Sequence, residues 1–414
     1  MTPAPRLSAF APFAVRSYRF QWPSDLATSW AFEMETLILG WYILVQTESV
    51  FLLTVFGSLQ FVGTLIAPAF GLAGDRIGHR NLLGLMRVSY ALLATAVLSL
   101  FVADMLSPAL VLVIAGAGGI VRPSEMSVRT VLVGETVPAD RLMSAISLGR
   151  ITTDSARVAG ALAGAGVVAL LGMGWAYAVV ILLYAASTLL TLGIAGRPPG
   201  MAAPKRVSLW GDLRDAARAV WEAPPQLAAM ILAFLINLTG YPFLLGLLPY
   251  VARDVYGTNQ AGLGYLIAGA GTGAIVAALV LSRTGTAVRP ARMMVLASLA
   301  WHALIIVFGQ TGGVAAGLPL LALIGISQGL CILPMAVLLL RGAQPALRGR
   351  IMGMRTLAVY GLPIGLLGAA PLIEAFGFAG MAALYGSVGL ASTLLILLRW
   401  RASLWPKDAP SNAG

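Results

Sequence analysis

Nine ionisable side chains lie inside long apolar stretches in the first half of this 414-residue chain. An ionised side chain at the centre of a membrane helix costs at least ~2.5–3.5 kcal/mol on insertion scales. A chain that keeps several such groups is expected to use them for proton uptake, for ligand binding or for ion pairs between helices. The nine are Asp25, Glu33, Glu35, Arg122, Glu125, Arg129, Arg150, Asp154 and Arg157.

Six of the nine form two triplets in which neighbours are three or four residues apart, so each triplet shares one face of a helix. The triplets are Arg122, Glu125, Arg129 and Arg150, Asp154, Arg157. For Arg122–Glu125 and Asp154–Arg157, a structural ion pair and a role in substrate binding or coupling both remain open. Arg129 and Arg150, like Asp25, lie near helix ends, where snorkelling or a gating contact is expected.

Glu33 and Glu35 have fewer obvious partners than the other acids. They point about 200° apart around a helix, so they do not face the same cavity axis. The nine side chains sum to −1, which leaves one acid able to bind a proton or a cationic ligand. Burial makes such a carboxyl titratable near neutral pH. We therefore predict Glu33 and Glu35 as the proton-coupling residues, with one or the other as the proton carrier.

The second half offers polar rather than charged candidates. Asn237, Tyr241 and Gln328 are expected to line a cavity, and His302 is expected to be a satisfied or lipid-interface histidine. The predicted substrate-binding set is Arg122, Glu125, Asp154, Arg157, Asn237, Tyr241 and Gln328. The chain has no P-loop, two histidines and one cysteine, so we expect no enzyme activity, no cofactor and no metal site.

The elements that must position these residues are membrane helices. Hydrophobic residues make up 59% of the chain, charged residues 10%, and the mean hydropathy is +0.88, whereas soluble domains are about 25% charged. A helix needs roughly 20 apolar residues to cross a bilayer. We predict an all-α membrane protein with twelve spans, numbered in order: 20–46, 50–71, 82–103, 107–133, 142–171, 174–195, 226–251, 261–282, 292–309, 315–341, 351–373 and 378–398.

The net charge of +11 is explained by topology rather than by nucleic acid. Lys and Arg concentrate before span 1, after spans 2, 6, 8 and 10 and at the end of the chain. The other connections are nearly free of them, with Arg253 as the exception. This is the positive-inside pattern with both termini cytoplasmic. We expect a multi-pass protein of a bacterial-type inner membrane. Its expected partners are a small-molecule substrate, protons and the lipid bilayer, with no nucleic acid, and it is expected to be a monomer.

The chain repeats itself at half its length. The octet that starts at Arg141 resembles the octet that starts at Arg350, and the two lie in corresponding loops of the two halves. Six spans in each half indicate parallel repeats. We predict a six-helix bundle over 1–196, a cytoplasmic connector with an amphipathic helix over 197–225, and a second six-helix bundle over 226–414.

The segment between spans 2 and 3 reads Gly71-Leu-Ala-Gly-Asp-Arg-Ile-Gly-His-Arg80. This G-x-x-x-D-R-x-G-x-R pattern resembles the loop 2–3 signature of the major facilitator superfamily. The runs Gly40–Leu44, Val137–Leu142, Ala156–Gly160 and Leu347–Gly353 resemble its enterobactin-exporter-like and macrolide-efflux-like branch. The resemblance implies a secondary transporter whose central cavity opens to alternate sides.

In that family the loop 2–3 aspartate, here Asp75, docks near the start of span 11 and latches the outward-facing state. A carboxylate is favoured at a helix N-terminus, and Gly71 and Gly74 are expected to allow close helix approach. The predicted gate consists of Gly71, Gly74, Asp75, Arg76, Gly78, Arg80 and Arg129.

Two departures from the family's proton–drug antiporters concern coupling. Span 4 has no R-x-x-Q-G run, and span 5 has Gly160-Ala161 where those antiporters have Gly-Pro.

The expected function is export of an amphipathic, drug-like molecule by alternating access, driven by protons. One alternative is a narrow exporter of a siderophore or another secreted metabolite. Another is a membrane assembly factor or sensor that transports nothing.

Overall fold

The structure is a computed structural model, and it describes residues 10–195, 209–284, 289–342 and 347–405. Every regular element in these ranges is helical, in agreement with the predicted all-α class. The chain divides into two compact units. Unit 1 comprises Met1–Lys205 and Thr258–Ala268, and unit 2 comprises Arg206–Gly257 and Gly269–Gly414. The predicted domain boundaries remain a prediction, and residues 197–208 of the connector lie outside the described ranges.

Unit 1 is built from six helices. They are α1 (Arg16–Thr47), α2 (Val50–Leu59), α3 (Ala67–Ile77), α4 (His79–Val102), α5 (Pro108–Thr136) and α6 (Ala139–Leu192). Serine side chains cap two of these helices: Ser49 accepts from the Leu52 amide of α2 at 3.2 Å, and Ser107 accepts from the Leu110 amide of α5 at 3.4 Å. These caps satisfy amide groups that the first turn leaves without partners.

Unit 2 contains nine α-helices of the described residues and most of a tenth, α11, which is shared with unit 1. They are α7 (Leu209–Glu222), α8 (Pro224–Thr239), α9 (Pro242–Leu245), α10 (Leu248–Tyr250), α11 (Gln260–Thr284), α12 (Pro290–Phe308), α13 (Val314–Arg341), α14 (Arg348–Leu357), α15 (Gly361–Arg399) and α16 (Arg401–Leu404). The shared element is α11, whose first turns belong to unit 1.

Seven helices of the described residues are long and apolar enough to cross a membrane, or eight if the bent α2–α3 region is one span. Predicted spans 5 and 6 run together in α6, and spans 11 and 12 run together through α15. Each continuous helix is interrupted by one glycine with positive φ, Gly172 (82°) and Gly377 (70°). The protein is therefore a multi-pass all-α membrane protein, and the count of twelve remains a prediction.

Two glycines of α6 bring this helix against α1. A Cβ atom on Gly160 would lie 3.2 Å from the Trp30 carbonyl oxygen and 3.0 Å from Cβ of Glu33. A Cβ atom on Gly164 would lie 3.1 Å from Cα of Met34. The expected tight packing of these glycines is present, and it places the backbone of α6 directly beside Glu33.

The segment Gly71–Arg80 is not the loop that the sequence suggested. Residues up to Ile77 continue α3, and His79 already begins α4. Gly78 alone makes the turn, with φ 87° and ψ 135°. Because side chains with a Cβ atom rarely adopt this φ, glycine is needed there.

The connector contains the predicted helix, α7. The sequence predicts that Trp210, Leu213, Ala217, Val220 and Trp221 share one apolar face of this helix, but the structure does not cover all of this face. Val220 is buried, whereas Ala217 is exposed and Trp221 is 74% exposed. The side chains of Trp210 and Leu213, assigned to the same face, lie outside the described residues.

His302 is fully buried rather than at the lipid surface, and its Nε2 atom lies 2.8 Å from the Thr239 hydroxyl.

Candidate functional site

A pocket of about 190 Å³ lies within unit 1, between α1, α4, α5 and α6. Four of the predicted site residues, Glu33, Arg122, Glu125 and Arg157, contribute to its wall, as does the predicted gate residue Arg129. The pocket is lined by Thr28, Ser29, Phe32, Glu33, Tyr90, Arg122, Glu125, Met126, Arg129, Thr153, Arg157 and Tyr184. Charged, hydroxyl and apolar groups therefore share one small cavity.

Glu35 and Arg122 form a closed ion pair beside this pocket. Arg122 donates to Oε2 of Glu35, and the Tyr184 hydroxyl donates to the same oxygen at 3.0 Å. The Arg122 guanidinium carbon also lies 4.2 Å from the centroid of the Phe32 ring, a cation–π distance. Glu35 is only 4% exposed and does not line the pocket. Its charge is compensated by contacts that leave little room for a ligand.

Glu33 has the loosest ion pair at the site. Its Oε1 atom lies 3.9 Å from Nε of Arg157, beyond hydrogen-bond distance. The buried Nε atom of Arg157 has no hydrogen-bond partner among the described residues. Both side chains line the pocket. The Glu33 carboxylate and the Arg157 guanidinium are therefore close enough to attract each other, yet Glu33 can still accept a proton and Arg157 can still donate a hydrogen bond to a ligand.

A buried cluster around Arg87 was missed by the sequence reasoning. Arg87 donates to Ser24 and Asp25, and to the Thr191 hydroxyl at 2.6 Å. Its guanidinium also lies 3.6 Å from Glu125. Arg87 is 0% exposed, although the sequence reasoning attributed it to the positive-inside pattern rather than to the candidate site. These five residues are called the Arg87 cluster below.

The Arg87 cluster corrects the predicted charge balance. When Arg87 is added to the nine predicted residues, five arginines and five carboxylates are present, so the formal charges of this set cancel. Asp25 is shared between Arg87 and Arg129, whose Nε atom lies 3.2 Å away. No carboxylate is left over by charge count. A carboxylate that binds a proton is therefore identified by its weak contact with its arginine partner, not by an excess of negative charge.

The structure also changes the expected partners within the two triplets. Glu125 pairs with Arg87 rather than with Arg122. Asp154 pairs with Arg150 on its own helix at 3.0 Å rather than with Arg157. Residues on one helix face were correctly grouped, but each helix faces several others, and the sequence does not give their relative rotation.

Six of the seven predicted gate residues, all except Arg129 of α5, lie at or near the junction of α3 and α4. Nδ1 of His79 lies 3.0 Å from Glu135, and Nε2 lies 3.9 Å from Asp75. Arg80 donates to the Leu192 carbonyl at 2.6 Å, which ties the start of α4 to the end of α6. Arg76 is exposed.

The two gate glycines differ in their surroundings. A Cβ atom on Gly74 would lie 2.7 Å from the His79 ring, so this position needs glycine unless that ring moves. A Cβ atom on Gly71 would meet no described atom within 4 Å. The expected close approach is therefore present at Gly74 and absent at Gly71. The docking of Asp75 near span 11 remains a prediction.

The three candidates of the second half lie in unit 2. The Asn237 amide donates to the Ala233 carbonyl of its own helix at 2.8 Å. The Tyr241 ring packs edge-on against Trp301 at 5.3 Å between centroids, and Gln328 is buried in α13. Their part in substrate binding remains a prediction.

Comparison with known proteins agrees with this architecture. A sequence profile described as "Major Facilitator Superfamily" matches residues 26–368. No curated protein sequence gives a significant match.

Several solved transporter structures are similar to the chain. A POT family transporter in complex with 5-aminolevulinic acid has a TM-score of 0.73 at 13% identity, over 94% of this chain and 97% of that one. The nucleoside transporter NupG has a TM-score of 0.70 at 12% identity, over 94% and 99%. The human organic anion transporter MFSD10 (TETRAN) has a TM-score of 0.64 at 16% identity, over 92% and 99%. At these identities the likeness shows the fold alone.

Proposed function

We propose that this chain, which belongs to the major facilitator superfamily and is a secondary transporter, exports an amphipathic small molecule in exchange for protons. The observation that carries the proposal is the Glu33–Arg157 pair, which faces the pocket at 3.9 Å. A carboxylate with one weak partner in a small cavity is suited to bind a proton in one state and a ligand in another.

Glu33 is the proton carrier in this proposal, and Glu35 is structural. A proton on Glu33 removes the negative charge facing Arg157, whereas a proton on Glu35 would break its contacts with both Arg122 and Tyr184. Breaking a buried ion pair from one side costs about 3–5 kcal/mol. Glu33 therefore changes its protonation with the smaller loss of structure.

The pocket lining supports an amphipathic substrate. Phe32 and Met126 supply apolar surface, and Glu33 can hold a cationic or hydrogen-bonding end of the ligand. One observation favours the alternative of an anionic secreted metabolite, such as a siderophore: the buried Nε atom of Arg157 has no hydrogen-bond partner among the described residues. The resemblance to the enterobactin-exporter-like and macrolide-efflux-like branch suits either substrate class.

The same proposal includes the topology. The positive-inside pattern supports an inner-membrane location with cytoplasmic termini, and we propose a monomer.

A non-transporting assembly factor or sensor has no need of the predicted gate. Asp75→Asn separates these possibilities: loss of function at normal membrane abundance supports transport, and unchanged function supports the scaffold.

The experiment that tests export is collapse of a pre-formed ΔpH in everted membrane vesicles. Lipophilic cations, macrolides and catecholate siderophores are added in turn. We expect a response to one class in wild type, its loss in Glu33→Gln and a retained response in Glu35→Gln at equal abundance. Glu35→Gln is the matched control because it removes the same charge two residues away. No response to any class, with folded protein present, would overturn proton-coupled export of these compounds.

A further inference from the structure

A groove of about 560 Å³ opens within unit 2, where the end of α7, the start of α8 and the α15–α16 junction meet. It is lined by Trp221, Pro224, Leu227, Ile231, Arg399, Trp400, Ala402 and Ser403. None of these residues belongs to the pocket of unit 1 or to the predicted gate. The groove therefore requires an explanation separate from the transport site.

The position of the groove along the helices places it at a bilayer surface. The apolar, membrane-crossing stretch that contains α15 ends at Arg399, and the apolar helix α8 begins at Pro224. Tryptophan is typical of membrane–water interfaces, and Trp221 is 74% exposed at this level. Ile231, two helical turns further along α8, is 41% exposed. The groove thus has a polar end at the interface and an apolar end towards the hydrocarbon.

The polar end carries positive charge. Arg399 is exposed, and its guanidinium carbon lies 5.6 Å from the centroid of the Trp400 ring. Among the described residues, no carboxylate lies within 4.0 Å of Arg399. The exposed side chain of Arg401 adds a second positive charge nearby, and Ser403 contributes a hydroxyl group to the wall.

We propose that this groove binds an anionic phospholipid. The Arg399 guanidinium receives the phosphate through charge-assisted hydrogen bonds, and the Ser403 hydroxyl donates to another phosphate oxygen. An acyl chain follows Leu227 and Ile231 along α8 into the hydrocarbon. Trp221 and Trp400 cover the glycerol region between these two ends. The connector helix α7 is thereby anchored to the membrane beside α8.

The test is native mass spectrometry of the purified full-length chain with phosphatidylglycerol or phosphatidylcholine of identical acyl chains. We expect wild type to retain phosphatidylglycerol in preference. Arg399→Gln is expected to weaken this retention about five-fold, the effect of one basic residue near an anionic surface. Arg283→Gln is the matched control, since Arg283 is an equally exposed arginine at the end of α11. Equal retention of the two lipids, or equal effects of the two substitutions, would overturn the proposal.

A second variant and a soluble headgroup test separately whether the groove binds the phosphate and the acyl chains of the lipid. Ser403→Asp places a carboxylate against the phosphate without removing an arginine, so it is expected to lower the retention of phosphatidylglycerol, which has a net negative charge, more than that of zwitterionic phosphatidylcholine. Glycerol 3-phosphate is expected not to displace the lipid, because it lacks the acyl chains that contact Leu227 and Ile231. Its displacement of phosphatidylglycerol would identify a free-phosphate site and contradict a lipid site.

Discussion

Removal of the Arg87 guanidinium tests whether the Arg87 cluster holds unit 1 together. In Arg87→Met, Asp25 keeps Arg129 at 3.2 Å. Glu125 loses the one arginine that lies within 4.0 Å of its carboxylate among the described residues. Leaving a buried charge without its partner costs about 3–5 kcal/mol. We therefore expect Arg87→Met to reduce the free energy of unfolding by that amount.

The double variant Arg87→Met with Glu125→Gln separates lost charge compensation from lost packing. Because both members of the pair are then neutral, most of the loss is expected to return, as is found when buried ion pairs are replaced by uncharged groups. Arg87→Lys keeps the charge but cannot reproduce the planar fork that reaches Ser24, Thr191 and Asp25 together. Its free energy of unfolding should therefore lie between those of wild type and Arg87→Met.

The assay is equilibrium unfolding in detergent micelles, followed by far-UV circular dichroism. A recovery of about 3 kcal/mol between the single and double variants is roughly a 150-fold change in the unfolding constant. Wild-type stability in Arg87→Met would refute the reasoning, since Arg87 would then contribute nothing. A double variant no more stable than the single one would show that Glu125 does not depend on Arg87.

Three further substitutions, one of them with a matched control, test contacts within the two units. Gly160→Val is expected to lower the yield of folded protein, measured by size-exclusion chromatography, because its Cβ would crowd α1. A Cβ on Gly166 would meet no described atom within 4 Å, so the control Gly166→Val should be better tolerated. Gly389→Ala places a Cβ against the His302 ring and should lower the melting temperature; a melting temperature like that of wild type would contradict this packing. Tyr184→Phe removes one hydrogen bond to Glu35 and should cost about 1 kcal/mol of stability while leaving proton coupling intact, and loss of coupling would contradict a structural Glu35.

The sequence was sufficient to predict the class of fold and the half of the chain that holds the charged pocket. Apolar runs of membrane length predict helices, because only internally hydrogen-bonded segments are stable in lipid. Ionisable residues inside such runs are costly enough to mark a site. Glu33, Arg122 and Arg157 were selected in this way, and the structure brings all three to one pocket.

The pairing of these charges was not predictable by the same route. Periodicity fixes which residues share a face of one helix, but partners on different helices depend on rotation and tilt, which are set by packing. Gly160 and Gly164 set the approach of α6 to α1, and this approach brings Arg157 to Glu33 rather than to Asp154. Arg87 was missed although it lies inside predicted span 3, because nearby arginines had been assigned to topology.

The most direct measurement of the central claim is proton release on ligand binding. Purified wild type, Glu33→Gln and Glu35→Gln are mixed in weakly buffered detergent solution with the compound that collapses ΔpH in vesicles, and a pH-sensitive dye reports released protons. The account predicts about one proton per bound ligand in wild type and Glu35→Gln, and none in Glu33→Gln. Equal release from wild type and Glu33→Gln would contradict the assignment of Glu33 as the group that exchanges its proton for substrate.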